Sequence, residues 1–279
     1  MSRISVRMQA CREQGRTALV PYVMAGDPDA QETVALMHAM VSAGVDMIEL
    51  GIPFSDPMAD GPVIQKAAER ALRGGMKLRG ALDIVRRFRA GDGDTPVILM
   101  GYLNPLERMG YGEFAAAAGE AGVDGVLTVD LPPEECEELV TTLRSADIDP
   151  IFLLSPTTTP ARMQAVCDAA SGFVYYVSLK GVTGAASLDM ADVTERVRQI
   201  REVTRLPVGV GFGISDAAAA ARMAAVADAV VVGSALVSRM AEHGGDPSRM
   251  REEVAGLLRE MRQAMDNPAG PGQRARQTG

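Results

Sequence analysis

Eight apolar runs, each followed by a helix-forming segment, recur along this chain with short connections between them. The runs are Ala18–Met24, Val45–Leu50, Pro96–Met100, Gly125–Val129, Pro150–Leu154, Phe173–Val177, Pro207–Val210 and Ala229–Val232. They are continuous instead of alternating, the pattern of strands buried on both faces of a parallel sheet. Eight such units predict an α/β fold, the (β/α)8 TIM barrel, with an open doubly wound sheet as the rival. A polar helix over Ile4–Gln14 precedes the first unit, so the barrel is expected to carry an extra N-terminal helix.

Punctuation along the chain supports the same division. Asp29-Ala-Gln-Glu is a capping-box-like helix start, and Gly44 closes that helix. A helix from Pro62 is expected to break at Gly74-Gly75 and resume to Arg89. Tyr111–Ala121 reads as a helix ended by Gly122, and Pro132-Pro133 opens the next one. Helices are also expected over Pro160–Ala170, Met190–Val203, Asp216–Ala225, Gly233–Glu242 and Pro247–Met265. Residues 1–267 are expected to form one domain, and 268–279, rich in Pro, Gly, Gln and Arg, a disordered tail.

Composition narrows the function classes. Hydrophobic residues make up 47% of the chain and aromatics only 4%, so aliphatic side chains and methionine must fill the core. A net charge of -8 argues against nucleic-acid binding. The three cysteines, Cys11, Cys136 and Cys167, are odd in number and far apart, which suggests neither a disulfide framework nor a metal cluster. His38 and His243 fall on helices away from strand ends, so no metal site is expected. The N-terminus lacks a signal-peptide core, and no apolar run reaches the ~18 residues of a membrane span. A cytoplasmic protein with no membrane or nucleic-acid partner is expected.

Chemistry concentrates in Met47–Gly61, Met-Ile-Glu-Leu-Gly-Ile-Pro-Phe-Ser-Asp-Pro-Met-Ala-Asp-Gly. Glu49 interrupts an apolar strand, where a carboxylate is costly unless paired, hydrated or used. Pro53 and Pro57 stiffen the loop that carries Asp56 and Asp60. One carboxylate near a strand end and another on a stiffened loop suit an acid/base pair, although Asp60 before Gly-Pro also fits a turn or helix cap. Other residues expected at strand ends or in the loops after them are Tyr22, Met100, Tyr102, Asp130, Tyr175, Thr183 and Gly184. Gly211-Phe-Gly-Ile-Ser after the seventh run and Gly233-Ser-Ala after the eighth form the candidate phosphate site, through Phe212, Gly213, Gly233 and Ser234. Asp56 and Asp130 read more readily as loop or cap residues, and Tyr175 and Met100 as packing.

These motifs together resemble the tryptophan synthase alpha chain family. The long run from Ile48 to Gly61 is its signature, and Gly181-Val-Thr-Gly, Gly211-Phe-Gly-Ile-Ser and Gly233-Ser-Ala stand where the family has its lid and phosphate loops. The similarity runs from the first helix to about Met265. The resemblance implies a lyase that splits indole-3-glycerol phosphate into indole and glyceraldehyde 3-phosphate. It implies Glu49 as general acid/base, Asp60 as holder of the indole N–H, and Tyr175 in support of Glu49. Tyr22, Met100 and Phe212 would wall the indole pocket, with Tyr102 and Thr183 near the substrate; Gly184 would add a donor to the phosphate. Tyr22 stands where the family commonly has Phe, and Met100 where it commonly has Leu. A beta-chain partner is implied, as an alpha2-beta2 tetramer in which Asp56 faces the partner and pyridoxal phosphate sits only on the beta chain; no cofactor is expected in this chain.

The chemistry fits such residues. Protonating indole C3 makes the ring an electron sink, a nearby carboxylate stabilises its charge, and the proton donor needs a pKa raised toward neutrality. Two rivals differ in class. A Schiff-base aldolase would use Lys180, one of only three lysines, and borohydride trapping would reveal it. A non-catalytic phosphate-binding partner subunit would release no indole. The loop Lys180–Leu188, with Gly181 and Gly184, is expected to close as a lid over bound substrate.

Overall fold

The computed structural model describes residues 2–177, 190–211 and 213–267. Lys180, Thr183, Gly184 and Phe212, the expected lid and the expected tail all lie outside the described residues. The strands are β1 (Ala18–Met24), β2 (Ile48–Gly51), β3 (Val97–Gly101), β4 (Gly125–Thr128), β5 (Asp149–Ile151), β6 (Leu153–Leu154), β7 (Val174–Val177), β8 (Val208–Gly211) and β9 (Ala229–Val232). All pair in parallel in the order β5-β4-β3-β2-β1-β9-β8-β7-β6.

The fifth apolar run accounts for the ninth strand. It was expected as one strand over Pro150–Leu154, but its first half pairs with β4 and its second with β7. Phe152 is the only residue between the halves, and its carbonyl accepts the Tyr175 amide hydrogen at 3.0 Å. The two ends of the sheet are thus joined by the chain itself, giving a nearly closed barrel instead of an open sheet.

The described helices are α1 (Arg3–Glu13), α2 (Ala30–Ser42), α3 (Pro62–Arg73), α4 (Leu78–Arg89), α5 (Leu103–Met109), α6 (Tyr111–Ala121), α7 (Glu137–Ser145), α8 (Pro160–Ala169), α9 (Met190–Val203), α10 (Ala217–Ala224), α11 (Ser234–Glu242) and α12 (Pro247–Asp266). Local caps set several starts: Asp29, Thr159, Asp216 and Asp246 each accept a backbone N–H from the first turn of the helix that follows. Helix α5 lies in a stretch to which no element is assigned from sequence. Pro105 lies within the first turn, where its missing N–H has no intrahelical partner to lose. Pro133–Glu135 is a 3-10 turn ahead of α7.

Two packed layers position the functional end. The larger lies between the strands and the outer helices. The smaller fills the barrel, where Ile4, Met8 and Cys11 of α1 meet Ala18, Met47 and Ile98. Helix α1 therefore covers the end where the strands begin, and chemistry is left to the opposite, C-terminal end. Strand β2 starts at Ile48, later than the expected Val45, and Asp46 just before it serves as an anchor. The fully buried Asp46 carboxylate accepts the Leu19 amide hydrogen at 3.0 Å and pairs with Arg16 and, at 3.2 Å, with Arg262 of α12. Among the described residues, no helix is long and apolar enough to cross a membrane.

Candidate active site

Four carboxylates among the described residues are buried: Asp27, Asp46, Glu49 and Asp124. Three are paired with arginines. Asp27 takes a two-pronged bond from Arg70 at 2.8 and 2.7 Å, Asp46 takes Arg16 and Arg262, and Asp124 takes Arg3 and Arg89 at 2.9 and 2.5 Å. The Glu49 carboxyl makes no hydrogen bond or ion pair with any described residue, although the residue is only 2% exposed. Burial, and after it the nearby Asp60 carboxylate, push its pKa up to about 8. An unpaired buried carboxyl of this kind is held neutral near pH 7 and retains a proton to give.

Strand register shows what surrounds it. Glu49 stands opposite Tyr22 of β1 and Ile98 of β3, all facing into the barrel. Tyr22 reaches across Gly51, the next inward residue after Glu49; a Cβ on Gly51 would lie 2.7 Å from the Tyr22 ring carbon Cζ. Tyr175 of β7 lies in the same way over Gly211 of β8, where a Cβ would lie 2.9 Å from its Cζ. Both glycines are required by these close approaches. The Tyr175 phenol is raised well above its ordinary pKa, first by burial and then by the Glu49 charge, which places it beside Glu49. Met100 of β3 is half-buried and packs with Tyr22 in a cluster that includes Ile64 and Ala67 of α3.

Asp60 arrives from the loop between β2 and α3. It does not cap that helix: the N-cap residue is Gly61, with no side-chain cap bond, and Pro62 begins the helix. The Asp60 carboxyl instead lies near the Tyr102 hydroxyl. Burial raises its pKa, and the neighbouring Tyr102 hydroxyl opposes that rise. The same hydroxyl accepts the Ala59 amide hydrogen at 3.0 Å, and the Tyr102 ring stacks on Phe54 with centroids 5.1 Å apart. The Gln65 side chain fastens the other side of the loop, donating to the Asp60 carbonyl at 2.8 Å. Tyr102 was expected only as a residue near the substrate; its part in holding the Asp60 loop depends on a contact across 43 positions that no local pattern shows. Asp130 accepts the Leu103 amide hydrogen at 2.8 Å and so holds the start of α5, next to Tyr102. Asp56 is exposed and accepts a bond from Ser55 at 2.5 Å, away from Glu49 and Asp60 in role.

The candidate phosphate loops follow neighbouring strands, β8 and β9. Gly213 has φ +69°, which a side chain with a Cβ adopts only under strain. Gly233 is the N-cap of α11 and Ser234 its first residue, and no side chain caps that helix end. Its N-terminal N–H groups and positive dipole end therefore suit an anion. Glu49, Asp60, Tyr22, Tyr102 and Tyr175 are coupled electrostatically at the end of the barrel served by these loops. Among the described residues, no group of His, Cys, Asp and Glu is arranged to hold a metal ion.

Residues 8–266 match the family model described as Tryptophan synthase alpha chain. The tryptophan synthase alpha chain of Thioalkalivibrio sulfidiphilus is 65% identical over 266 residues, covering 95% of this chain and 100% of that one. That of Marinobacter nauticus is 57% identical over 269 residues, covering 96% and 100%. A solved structure of the Legionella pneumophila tryptophan synthase subunit alpha superposes with a TM-score of 0.90 at 44% identity, covering 96% of this chain and 99% of that one.

Proposed function

The chain belongs to the tryptophan synthase alpha chain family, a lyase subunit that cleaves indole-3-glycerol phosphate in tryptophan biosynthesis, and we propose that Glu49 and Asp60 perform that cleavage. The observation that carries the assignment is the buried Glu49 carboxyl, which has no partner among the described residues, whereas the other described buried carboxylates are all matched to arginines. With a pKa near 8, Glu49 starts protonated.

In the proposed sequence Glu49 gives its proton to C3 of the indole ring. The ring nitrogen then shares a positive charge, which the Asp60 carboxylate stabilises. Glu49, now a carboxylate, takes the proton of the hydroxyl on the adjoining chain carbon. The electrons of that O–H bond form the aldehyde carbonyl, the carbon-carbon bond breaks, and its electron pair neutralises the ring. Indole and glyceraldehyde 3-phosphate leave, and Glu49 holds a proton again. The ring is itself the electron sink, so we assign no cofactor to this chain.

Tyr22 and Met100 would wall the ring, Tyr175 would support Glu49, and Tyr102 would set Asp60. Gly213, Gly233 and Ser234 would take the phosphate; Gly213's backbone and the uncapped start of α11 support that assignment. The roles of Thr183, Gly184 and Phe212 rest on the family resemblance alone. The family implies a beta-chain partner, the site of pyridoxal phosphate, and we propose an alpha2-beta2 assembly with Asp56 on the partner-facing side. Met58, two residues on, is 85% exposed, and a cavity of about 370 Å³ beside it is lined by Phe54, Asp56, Met58 and Leu72. We further propose that residues 1–267 act as one domain and that the enzyme works in the cytoplasm.

Mixing the full-length chain with indole-3-glycerol phosphate tests the reading. Indole and glyceraldehyde 3-phosphate should appear in equal amounts, and borohydride added during turnover should leave no adduct on any lysine. A trapped adduct would transfer the reaction to the Schiff-base class.

A further inference from the structure

Tyr22 carries a polar group that the mechanism above leaves unused. It is 6% exposed, and its one hydrogen-bonding contact among the described residues is the Met24 sulfur at 4.0 Å, a weak acceptor at the edge of reach. A buried hydroxyl left so poorly matched is unusual, because such groups find a strong partner within the protein or from outside it.

Its position suggests the outside partner. Tyr22 pairs in register with Glu49, and its tip overlies Gly51, one inward residue nearer the open end of the barrel. The hydroxyl thus stands on the mouth side of Glu49, where a bound substrate would lie. Burial comes first among the influences on it, followed by the charges of Asp60 and Glu49, and together they keep it protonated and able to donate at all working pH values.

We propose that Tyr22 contacts the substrate, its hydroxyl donating a hydrogen bond to the side-chain oxygen that becomes the aldehyde. This rests on the assignment of Glu49 and Asp60 above. The substrate leaves little alternative. The indole nitrogen has an N–H and a lone pair committed to the ring, so it accepts no hydrogen bond. The phosphate oxygens belong to the loops after β8 and β9. Of the two chain hydroxyls, the one that Glu49 deprotonates sits on the carbon bonded to the ring, closer to both carboxylates than the second, which lies toward the phosphate. As its proton moves to Glu49, negative charge builds on this oxygen until the carbonyl forms, and a donor aimed there favours the transition state more than the bound substrate.

The test is Tyr22→Phe in the full-length chain, which removes the oxygen and keeps the ring. Turnover of indole-3-glycerol phosphate is measured beside the affinity for 3-indolylpropyl phosphate, which has the ring and phosphate but neither hydroxyl. The expected result is a roughly tenfold fall in kcat/KM, mainly in kcat, with the analogue's Kd unchanged within about twofold. Wild-type kcat/KM in the variant would overturn the proposal, and so would an equal loss of analogue affinity, which would make Tyr22 a packing residue. Failure of the underlying assignment shows separately, as turnover persisting in Glu49→Gln whatever Tyr22→Phe does.

Discussion

The Tyr102 hydroxyl accepts the Ala59 amide hydrogen at 3.0 Å, linking the end of β3 to the loop that presents Asp60. The same oxygen lies near the Asp60 carboxyl. One phenol therefore sets the backbone of the loop and steadies its charged side chain.

Tyr102→Phe should lower kcat/KM about tenfold or more, because the loop loses its Ala59 anchor and the Asp60 carboxylate loses the hydroxyl beside it and its fixed position. The phenyl ring keeps the stacking on Phe54, so the barrel should stay folded. Hydrogen exchange gives a second reading: the Ala59 amide should exchange faster in the variant while amides of β2 and β3 do not change. Unaltered exchange at Ala59 would show that the loop holds itself.

Asp60→Asn should be severely impaired, since a neutral amide offers the ring nitrogen no balancing charge. The finding that Gly61, not Asp60, occupies the N-cap of α3 means that this loss should come without a matching loss of stability. Thermal unfolding of the variant measured beside its indole release checks both halves.

The pH profile follows from the two carboxyls. Glu49 must begin protonated, so indole release should decline as pH rises through about 8. Asp60 must begin ionised, and its pKa is raised by burial, so the acidic limb should lie above the ordinary aspartate range. Tyr102→Phe removes the hydroxyl that opposes the rise, and should move that acidic limb further up. A rate unchanged between pH 7 and 10 would contradict the role given to Glu49.

Glu49 also makes a stability prediction. Its pKa rises from 4.5 to about 8 on folding, so the folded protein binds more protons than the unfolded chain across that interval. Stability from this group is therefore complete below the unfolded value and is lost as pH climbs through the folded one. Glu49→Gln should remove that loss: little difference from wild type near pH 4.5, and a variant more stable by a few kcal/mol, to order of magnitude, at pH 9. Urea unfolding at the two pH values reads it directly.

Gly213→Val should weaken binding of glycerol phosphate about tenfold or more, because φ at this position is +69° and a β-branched residue would move the loop and its backbone donors. Calorimetric titration with glycerol phosphate checks it; unchanged affinity would place the phosphate elsewhere.

The barrel was legible because parallel strands covered on both faces read as unbroken apolar runs, and Glu49 was conspicuous because it interrupts one of them. The failures have physical causes too. The fifth run, Pro150–Leu154, gives no local sign that Phe152 is where pairing passes from β4 to β7. Helix α5 is only 7 residues long, too short to show a helical period, and it carries Pro105 in its first turn, where proline is tolerated. Asp46 stood in the expected second strand, and its true task, meeting Arg16 and Arg262, involves a partner 216 positions away. Tyr102 could be placed at a strand end from sequence, but its hold on Ala59 and Asp60 is a tertiary fact.

The central claim is that Glu49 transfers the proton, and Glu49→Gln tests it most directly. Indole release in a single turnover is measured together with substrate affinity. The amide keeps the shape of the buried carboxyl and cannot donate its proton, so indole formation should disappear while substrate binds within about tenfold of wild type. Substantial indole release from the variant, with its substrate bound, would contradict the account.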